Sequence, residues 1–378
     1  MEFAWTDEHR AYRARVRGFI ERELPADWFE NYAHGVGTNE QIDFSRSFCK
    51  KLADEGLLVP QWPRRFGGAD GDPWQQFILS EEMWSWNEPR GPQYMGVNWI
   101  GPALMRFGTP AQQDEHLKRI STGTVVWAQG FSEPQAGTDL AALKTKAERT
   151  AGGYKINGMK IWTSYARRAD WIFLLARTGQ ERKSISCFLV PMNSPGVKVV
   201  PFPGLVEEGH LNEVYFDDVE VPESALIGEE GKGWNVIRYA LSYERVGVPR
   251  YHRARMVLDA TVAQLKREGR FSDSIVRAWA GRIVAKCEAA RLLTYVVVHQ
   301  RITGEDTVDP NVQRLTGAEA CLDLMNFLIT YVPDCLAGGD PYIANFYRSQ
   351  ISGTIAAGTY ELQLDLVAQR GLGMPRSG

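Results

Sequence analysis

The hydrophobic pattern of this chain changes its period twice. Up to residue 122 apolar residues recur at helical spacing, from 123 to 232 they follow a period of two between Gly, Pro and Asn turns, and from 233 to 378 the helical spacing returns. The sequence therefore predicts an α+β fold of three consecutive domains, 1–122, 123–232 and 233–378. These would be an N-terminal helical bundle, a middle β-barrel or sandwich, and a C-terminal helical bundle.

Several helix ends can be predicted from single residues. Thr6 is a suitable N-cap for the first helix, an apolar stripe runs between residues 12 and 20, and Pro25 ends it. Thr109 and Gln112 form a capping box at the start of a later helix. Further helices are predicted at about 42–55, 73–86, 234–267, 273–300, 311–331, 341–351 and 359–370, and strands at 171–176, 186–190 and 213–218.

Composition excludes several classes of partner. A formal charge of −3 gives no electrostatic reason to expect binding to nucleic acid or to an anionic membrane. The five cysteines are widely spaced without a CxxC pair, which favours a reducing compartment, and the six histidines suggest no metal site. The N-terminus lacks an apolar signal core, and no run approaches the roughly 20 apolar residues of a membrane span. We therefore expect a cytoplasmic protein.

Two stretches of the middle domain suggest a binding wall. Trp127–Asp139 (WAQGFSEPQAGTD) reads as a strand, turn and strand, and Asn157–Ser164 (NGMKIWTS) begins with an Asn-Gly hairpin signal that leads into a second strand. Side by side, these strands would suit a flat polar ligand. On pattern alone, the simpler interpretation of both stretches is the core and a surface turn of a β-domain.

Together the two stretches resemble the flavin-binding signatures of the acyl-CoA dehydrogenase family. The segment 127–141 is most similar to the larger subunits of bacterial heteromeric α2β2 members, and the similarity continues to GLGMPR near the C-terminus. The resemblance implies a C-terminal four-helix-type bundle and an FAD cofactor between that bundle and the β-domain.

The resemblance also implies roles for single residues. Gln129, Phe131 and Ser132 would lie beside the isoalloxazine, with the Ser132 hydroxyl on its pyrimidine edge. Trp162 would cover the outer ring face, and Ser164 would bond near N5, the atom that accepts hydride.

Further contacts are implied at two other places. Thr138 corresponds to a family hydroxyl that contacts the pantetheine arm of the thioester and belongs to the cofactor and substrate site. The C-terminal segment Gly358, Thr359 and Glu361 matches a third flavin contact. Considered alone, Thr359 is simply an N-cap for the last helix.

The family places its catalytic base at one of two positions. One lies directly before the C-terminal Gly-Thr pair, where Ala357 cannot remove a proton. The other lies on the first helix after the β-domain, where Glu244 matches and Arg245 stands beside it among the implied catalytic residues. Alanine keeps its backbone N–H, so Ala357 would still bind the thioester carbonyl of the substrate.

Helical spacing gives independent support for Glu244. Glu244 lies three residues after Leu241, which itself lies four residues after Ile237. This spacing places a carboxylate on an otherwise apolar face, an unfavourable position unless the carboxylate is paired or functional. The alternative is a structural ion pair with Arg245 or Arg238.

One segment departs from the family pattern. Homotetrameric members carry an Arg-x-x-Phe-Gly type sequence that reaches a neighbour's flavin pyrophosphate, whereas residues 266–275 place Arg270 and Phe271 side by side without that continuation. We therefore expect a tetramer. One form that it can take is α2β2, in which a related subunit supplies the pyrophosphate contacts.

Three functions follow from these observations. The first is FAD-dependent α,β-desaturation of an acyl-CoA thioester, with Glu244 removing the α-proton, flavin N5 taking the β-hydride and an electron-transfer flavoprotein taking the electrons. The relocated base suggests a bulky, branched or steroid-derived acyl chain. The alternatives are an acyl-CoA oxidase or flavin monooxygenase on the same fold, and a non-catalytic subunit of a heteromeric dehydrogenase.

Overall fold

The computed structural model describes residues 5–29, 38–205, 210–247, 249–305, 307–336, 340–356 and 358–375. Helices precede and follow a single eight-stranded sheet, which confirms the predicted α+β class. The α-helices are α1 (Asp7–Glu23), α2 (Asn39–Asp54), α3 (Pro73–Ser85), α4 (Gln93–Met95), α5 (Gly101–Phe107), α6 (Pro110–Ser121), α7 (Gly233–Gly247), α8 (Arg250–Arg267), α9 (Ser274–Thr303), α10 (Asp309–Tyr331), α11 (Pro341–Gly353) and α12 (Tyr360–Leu366). The strands are β1 (Trp127–Gly130), β2 (Lys146–Thr150), β3 (Gly153–Lys160), β4 (Trp171–Arg177), β5 (Ile185–Pro191), β6 (Val197–Pro201), β7 (Asn212–Pro222) and β8 (Leu226–Ile227).

Helix ends agree with the predicted caps. The Thr6 side chain accepts a hydrogen bond from the backbone N–H of His9, and Thr109 and Gln112 form both halves of the capping box at α6. α2 begins earlier than predicted because Thr38 caps it. A break at Pro249 divides the predicted helix 234–267 into α7 and α8. No helix in the described ranges is long and apolar enough to cross a membrane.

The sheet has the strand order β6-β7-β3-β2-β4-β5-β8, and β1 pairs in parallel with β4. Apolar side chains from strands across the sheet form one buried cluster. Tyr154, Ile172 and Phe188 are fully buried within this cluster. The regular alternation of the middle segment therefore produces one continuous sheet face that closes over a core.

Two local strand predictions are wrong. Only the first part of Trp127–Asp139 is a strand; beyond it Glu133 and Ala136 exchange backbone hydrogen bonds of 3.0 Å, and a 3₁₀ turn follows. Asn157–Gly158 lies inside β3 and forms no hairpin, because β3 pairs with β7 on both sides of it; the register shift at this point places the extra residue of a bulge on β7, opposite Asn157. β1 and β3 are also not paired with each other.

The chain forms two compact units from discontinuous segments. Unit 1 comprises 1–34, 73–89 and 245–378, and unit 2 comprises 35–72 and 90–244. The helical core of unit 1 includes Ile283, Leu324 and Phe327, all fully buried. The three-domain division of the sequence stays a prediction.

A buried carboxylate on α3 connects the helices of unit 1. Glu81 is 1% exposed; its Oε2 accepts from Arg13 Nη2 on α1 (2.7 Å), and its Oε1 accepts from the hydroxyls of Tyr251 on α8 (2.7 Å) and Tyr295 on α9 (3.1 Å). Burial raises the pKa of Glu81, but His252 and Arg13 outweigh it and hold the pKa at about 2. The carboxylate is therefore ionised at neutral pH.

We expect Glu81→Gln to lower the free energy of unfolding at pH 7 by roughly 3 kcal/mol, because it removes one of the two buried carboxylates that pair with Arg13. Since the folded-state pKa of Glu81 is lowered, its stabilising effect is complete above the ordinary value of 4.5 and is lost as the pH falls toward about 2. Urea titrations at neutral and acidic pH should show the difference between wild type and variant shrinking in that window.

Asp259→Asn is the matched control. It breaks the exposed pair of Asp259 with Arg255 on α8 (2.9 Å) and should cost about 0.5 kcal/mol or less. Equal destabilisation by the two variants would contradict the assigned role of Glu81.

Candidate functional site

The two predicted binding stretches meet just beyond the ends of their strands. The Ile161 N–H donates to the Ser132 carbonyl oxygen (3.0 Å), and Lys160 Nζ donates to the carbonyl oxygen of Phe131 (3.1 Å). Phe131 is 6% exposed and packs against Phe173 of β4, with ring centroids 5.9 Å apart. The structure thus brings Phe131 and Ser132 next to the segment that carries Trp162.

Trp162 is an exposed aromatic residue on a strained backbone. Its side chain is 58% exposed, and its φ of 60° lies in the left-handed region that bulky residues avoid. The next residue is fixed by Asn212, whose carbonyl accepts from Thr163 N–H and whose Nδ2 donates to the Thr163 carbonyl, both at 3.0 Å. The indole touches Phe202 edge-on at 5.2 Å. Strain combined with exposure of a large ring is typical of a binding position.

Three predicted hydroxyls remain available to a ligand. Ser132 and Ser164 are half-buried and Thr138 is exposed. In the part of the chain that the structure describes, none of these hydroxyls bonds to another protein group. Each can donate and accept, so together with the Trp162 indole they fit a flat conjugated ring system with a polar edge, which is the chemistry of an isoalloxazine.

Gln129 is oriented by a residue that the sequence did not indicate. Trp99 lies in a π-helical turn, Gly96–Ile100, and its Nε1 donates to Gln129 Oε1 (2.8 Å). Trp99 is buried at 2% exposure, and its hydrogen bond to Gln129 is partly buried. Because the Gln129 oxygen is occupied, its amide nitrogen remains as the donor. A π-helical turn often marks a functional position but leaves no clear sequence pattern.

Glu244 lies on the buried side of α7. It follows Ile237 by two turns and Ala240 by one, and these two residues are 0% and 1% exposed. Its Oε2 atom has essentially no solvent exposure. Arg238, an alternative ion-pair partner, instead donates to Asn235 Oδ1 (2.8 Å). Arg245 is also in α7, and its side chain lies outside the described residues.

The C-terminal residues of the predicted site belong to unit 1. Thr359 caps α12, with its Oγ1 accepting from Leu362 N–H (3.2 Å), and Glu361 is exposed in the first turn. Ala357 lies outside the described residues. Arg314 donates to the carbonyl oxygens of Gly353 (2.6 Å) and Ala356 (3.0 Å), which fixes the chain just before that position.

Three family models together match most of the chain. They describe the N-terminal, middle and C-terminal domains of acyl-CoA dehydrogenases and match residues 6–124, 128–219 and 231–372. The chain belongs to the acyl-CoA dehydrogenase family. This confirms the resemblance seen in the sequence. As a member of the family it is an FAD-dependent oxidoreductase that acts on CH–CH groups, and FAD is its cofactor.

Individual acyl-CoA dehydrogenases resemble the chain over nearly its whole length. It is 32% identical to the acyl-CoA dehydrogenase IpdE1 of Mycobacterium tuberculosis, over 97% of each chain. Its structure is similar to that of the "Tcur3481-Tcur3483 steroid ACAD", with a TM-score of 0.89, 30% identity and full coverage of both chains. It is also similar to the ChsE4-ChsE5 complex of Mycobacterium tuberculosis, with a TM-score of 0.86, 25% identity and full coverage of both chains.

In this acyl-CoA dehydrogenase we expect Trp162→Ala to weaken FAD binding by about tenfold or more, because the flavin loses a stacking partner. Titration of the apoprotein with FAD, followed by flavin fluorescence, measures the dissociation constant. Trp162→Phe is the matched variant and should retain most of the affinity. Unchanged affinity in Trp162→Ala would show that the indole does not touch the flavin.

Proposed function

We propose that this chain desaturates a CoA thioester between its α and β carbons, with Glu244 as the base that removes the α-proton. The observation that carries the proposal is the position of Glu244 on the apolar, buried face of α7, with one carboxylate oxygen hidden from water. FAD, when bound, accepts the hydride that leaves the β-carbon. Proton and hydride together account for the two hydrogens lost from the substrate.

A shielded carboxylate is suited to this task. Removing a proton next to a thioester requires a base whose basicity is not reduced by water and whose position is fixed by the fold. α7 supplies that position, since Ile237 and Ala240 anchor its inner face. The arrangement of Arg238 on Asn235 weighs against the reading of Glu244 as half of a pair with that arginine.

The residues of the wall would hold the cofactor beside this base. Ser132 and Ser164 would bond the polar edge of the isoalloxazine, Trp162 would cover a ring face, and Gln129 would donate through its amide nitrogen. Thr138, exposed on the turn after β1, would contact the pantetheine arm. The free hydroxyls and the exposed indole support these assignments.

A bulky or ring-bearing acyl group is the substrate class that the comparisons favour. One structural neighbour at 30% identity is described as a steroid ACAD, and shared ancestry at this level supports a related, though not identical, substrate. Pro249 interrupts the helical segment close to Glu244 and separates α7 from α8. Such a break beside the base is compatible with a wide acyl cavity.

We expect Glu244→Gln to slow reduction of the bound flavin by at least about 100-fold, because the amide cannot accept the α-proton. Anaerobic mixing with short, long, branched and sterol-derived CoA thioesters, followed by flavin bleaching, measures the rate. The sterol-derived thioester should be the fastest with the wild-type enzyme. FAD affinity should stay unchanged, since the substitution preserves shape.

Glu229→Gln provides the control, as it removes an exposed carboxylate from the segment just before α7. It should reduce at the wild-type rate. If Glu244→Gln also reduces at that rate, the base lies elsewhere. Slow reoxidation of the reduced wild-type enzyme in air, and fast reoxidation by an electron-transfer flavoprotein, would support that flavoprotein as the electron acceptor; rapid peroxide formation would indicate an oxidase.

The same proposal includes a second, related subunit. Arg270 donates to the Tyr331 carbonyl oxygen (2.6 Å) and pairs with Glu268 (3.0 Å), so this guanidinium is engaged within its own bundle. Phe271 packs on the helical core of unit 1. Both side chains are thus occupied in the segment where homotetrameric members would reach a neighbour's pyrophosphate.

The C-terminal helices also leave apolar side chains exposed. Leu322 and Ile329, two turns apart on α10, are 37% and 47% exposed, and Ile275 near the start of α9 is 66% exposed. Within the described ranges, all but two of the large exposed apolar residues lie between Ile275 and Met374. A concentration of this kind indicates a protein interface. Two structural neighbours are two-component assemblies by name, which supports an α2β2 tetramer.

We expect the chain expressed alone to bind FAD weakly and with less than one flavin per subunit, because the pyrophosphate contacts would be missing. Co-expression with a related subunit encoded beside it should give a tetramer of both chains with full flavin occupancy. Size-exclusion chromatography with light scattering and the flavin-to-protein absorbance ratio measure both. A homotetramer of this chain alone with full, tight FAD occupancy would disprove the two-subunit proposal.

A further inference from the structure

A fully buried ion pair lies directly behind the predicted flavin wall. Lys160 is 0% exposed and Glu133 is 3% exposed, and Lys160 Nζ donates to Glu133 Oε1 at 2.8 Å. Glu133 follows Ser132 in the chain, and Lys160 precedes Trp162 by two residues. Each member of the pair is therefore within two residues of a side chain that would touch the flavin.

Every oxygen of the Glu133 carboxylate is used. Oε1 also accepts from Thr145 N–H (2.9 Å), and Oε2 accepts from Lys144 N–H (2.6 Å) and from Gln135 Nε2 (2.7 Å). The carboxylate thus joins the turn after β1, the start of β2 and the end of β3. Three segments far apart in sequence converge on one side chain.

Both groups are charged near neutral pH. Burial raises the pKa of Glu133, but the Lys160 ammonium and the surrounding N–H donors outweigh it and keep the pKa well below its usual range. Burial lowers the pKa of Lys160, and attraction to Glu133 offsets part of that effect. The contact is therefore an ion pair.

Stability alone does not explain such a pair, because apolar residues of similar volume commonly stabilise a fold as well or better. What the pair provides is geometry. Lys160 Nζ also holds the Phe131 carbonyl (3.1 Å), and the next backbone group along, Ile161 N–H, holds the carbonyl of Ser132 (3.0 Å). These two hydrogen bonds hold residues 131–132 against residues 160–161, directly beside the Ser132 and Trp162 side chains.

We propose that Glu133 and Lys160 are positioning residues that set Ser132 and Trp162 in the arrangement that binds the flavin. Neither touches the flavin or the substrate in this role. The inference rests on the proposed flavin wall. It implies that neutralising the pair loosens the wall even where the rest of the fold is intact.

The test is a cycle of Glu133→Gln, Lys160→Met and the double variant. Each single change leaves one buried charge uncompensated and should lower both the thermal midpoint and FAD affinity. The double variant removes both charges and should regain most of the midpoint. It still lacks the donor to the Phe131 carbonyl, so its FAD dissociation constant should stay raised by about tenfold or more.

Hydrogen exchange of the flavin-free protein gives a readout that does not depend on the cofactor. Peptides covering 130–136 and 157–165 should exchange faster in the double variant than in wild type, and peptides of unit 1 should not change. Lys155→Met is the matched control on the same strand, since it breaks only the exposed contact with Asp218 (3.6 Å). It should leave exchange and FAD affinity at wild-type values.

The outcomes separate this inference from the proposed function. If Trp162→Ala and Ser132→Ala weaken FAD binding while the double variant binds FAD and exchanges like wild type, the wall stands and the pair is merely structural. If Trp162→Ala and Ser132→Ala leave FAD affinity unchanged, the wall itself is disproved. Glu133→Asp keeps the charge and shortens its reach, so it serves if the other variants do not fold; wild-type FAD affinity in it would overturn the positioning role.

Discussion

The backbone at Trp162 lies in the left-handed region, which is unfavourable for a tryptophan, and hydrogen bonds of the two neighbouring residues hold it there. A left-handed φ on a bulky residue costs on the order of 1–3 kcal/mol and persists only where the surroundings fix it. Here the preceding residue is bonded to Ser132 and the following one to Asn212. The result is a large ring presented to solvent on a rigid support. Binding of a ligand that stacks on the ring costs the protein little conformational entropy, because the position exists before the ligand arrives.

Each of the two units contains a buried carboxylate that connects segments of the chain. Glu81 and Glu133 are each surrounded by cations and N–H or O–H donors, and the pKa of each is lowered as a consequence. A group held in that way is a poor proton acceptor, and its use is to connect segments. Glu244 lies instead on the face of α7 formed by Ile237 and Ala240. The proposal of Glu244 as the base therefore rests on its position on this apolar face and on the family position that it matches.

Sequence patterns correctly predicted the helix caps, which are determined by interactions between residues close in the chain. The caps at Thr6 and Thr109 were predicted correctly because each depends on hydrogen bonds within a few residues. Asn157–Gly158 was misread because its turn propensity is overridden by pairing of β3 with β7, which continues on both sides of these residues. The Glu133–Lys160 pair could not be predicted, since helical or strand spacing does not say which buried charges meet across 27 positions. The family resemblance supplied the candidate site residues, and the structure added the contacts that orient them.

Two features of unit 1 concern the assembly of the protein: the contacts of Arg270 and the exposed apolar residues of the C-terminal helices. Arg270 is used to satisfy the carbonyl at the end of α10, a group that would otherwise lack a helical partner. The Arg270 guanidinium is thus engaged within its own bundle, in the segment where homotetrameric members would reach a neighbour. The adjacent helices nevertheless keep an apolar surface that a monomer would bury or replace with polar residues. Both features agree with the proposed α2β2 tetramer, in which a related chain would supply the phosphate contacts and this chain would supply the wall and the base.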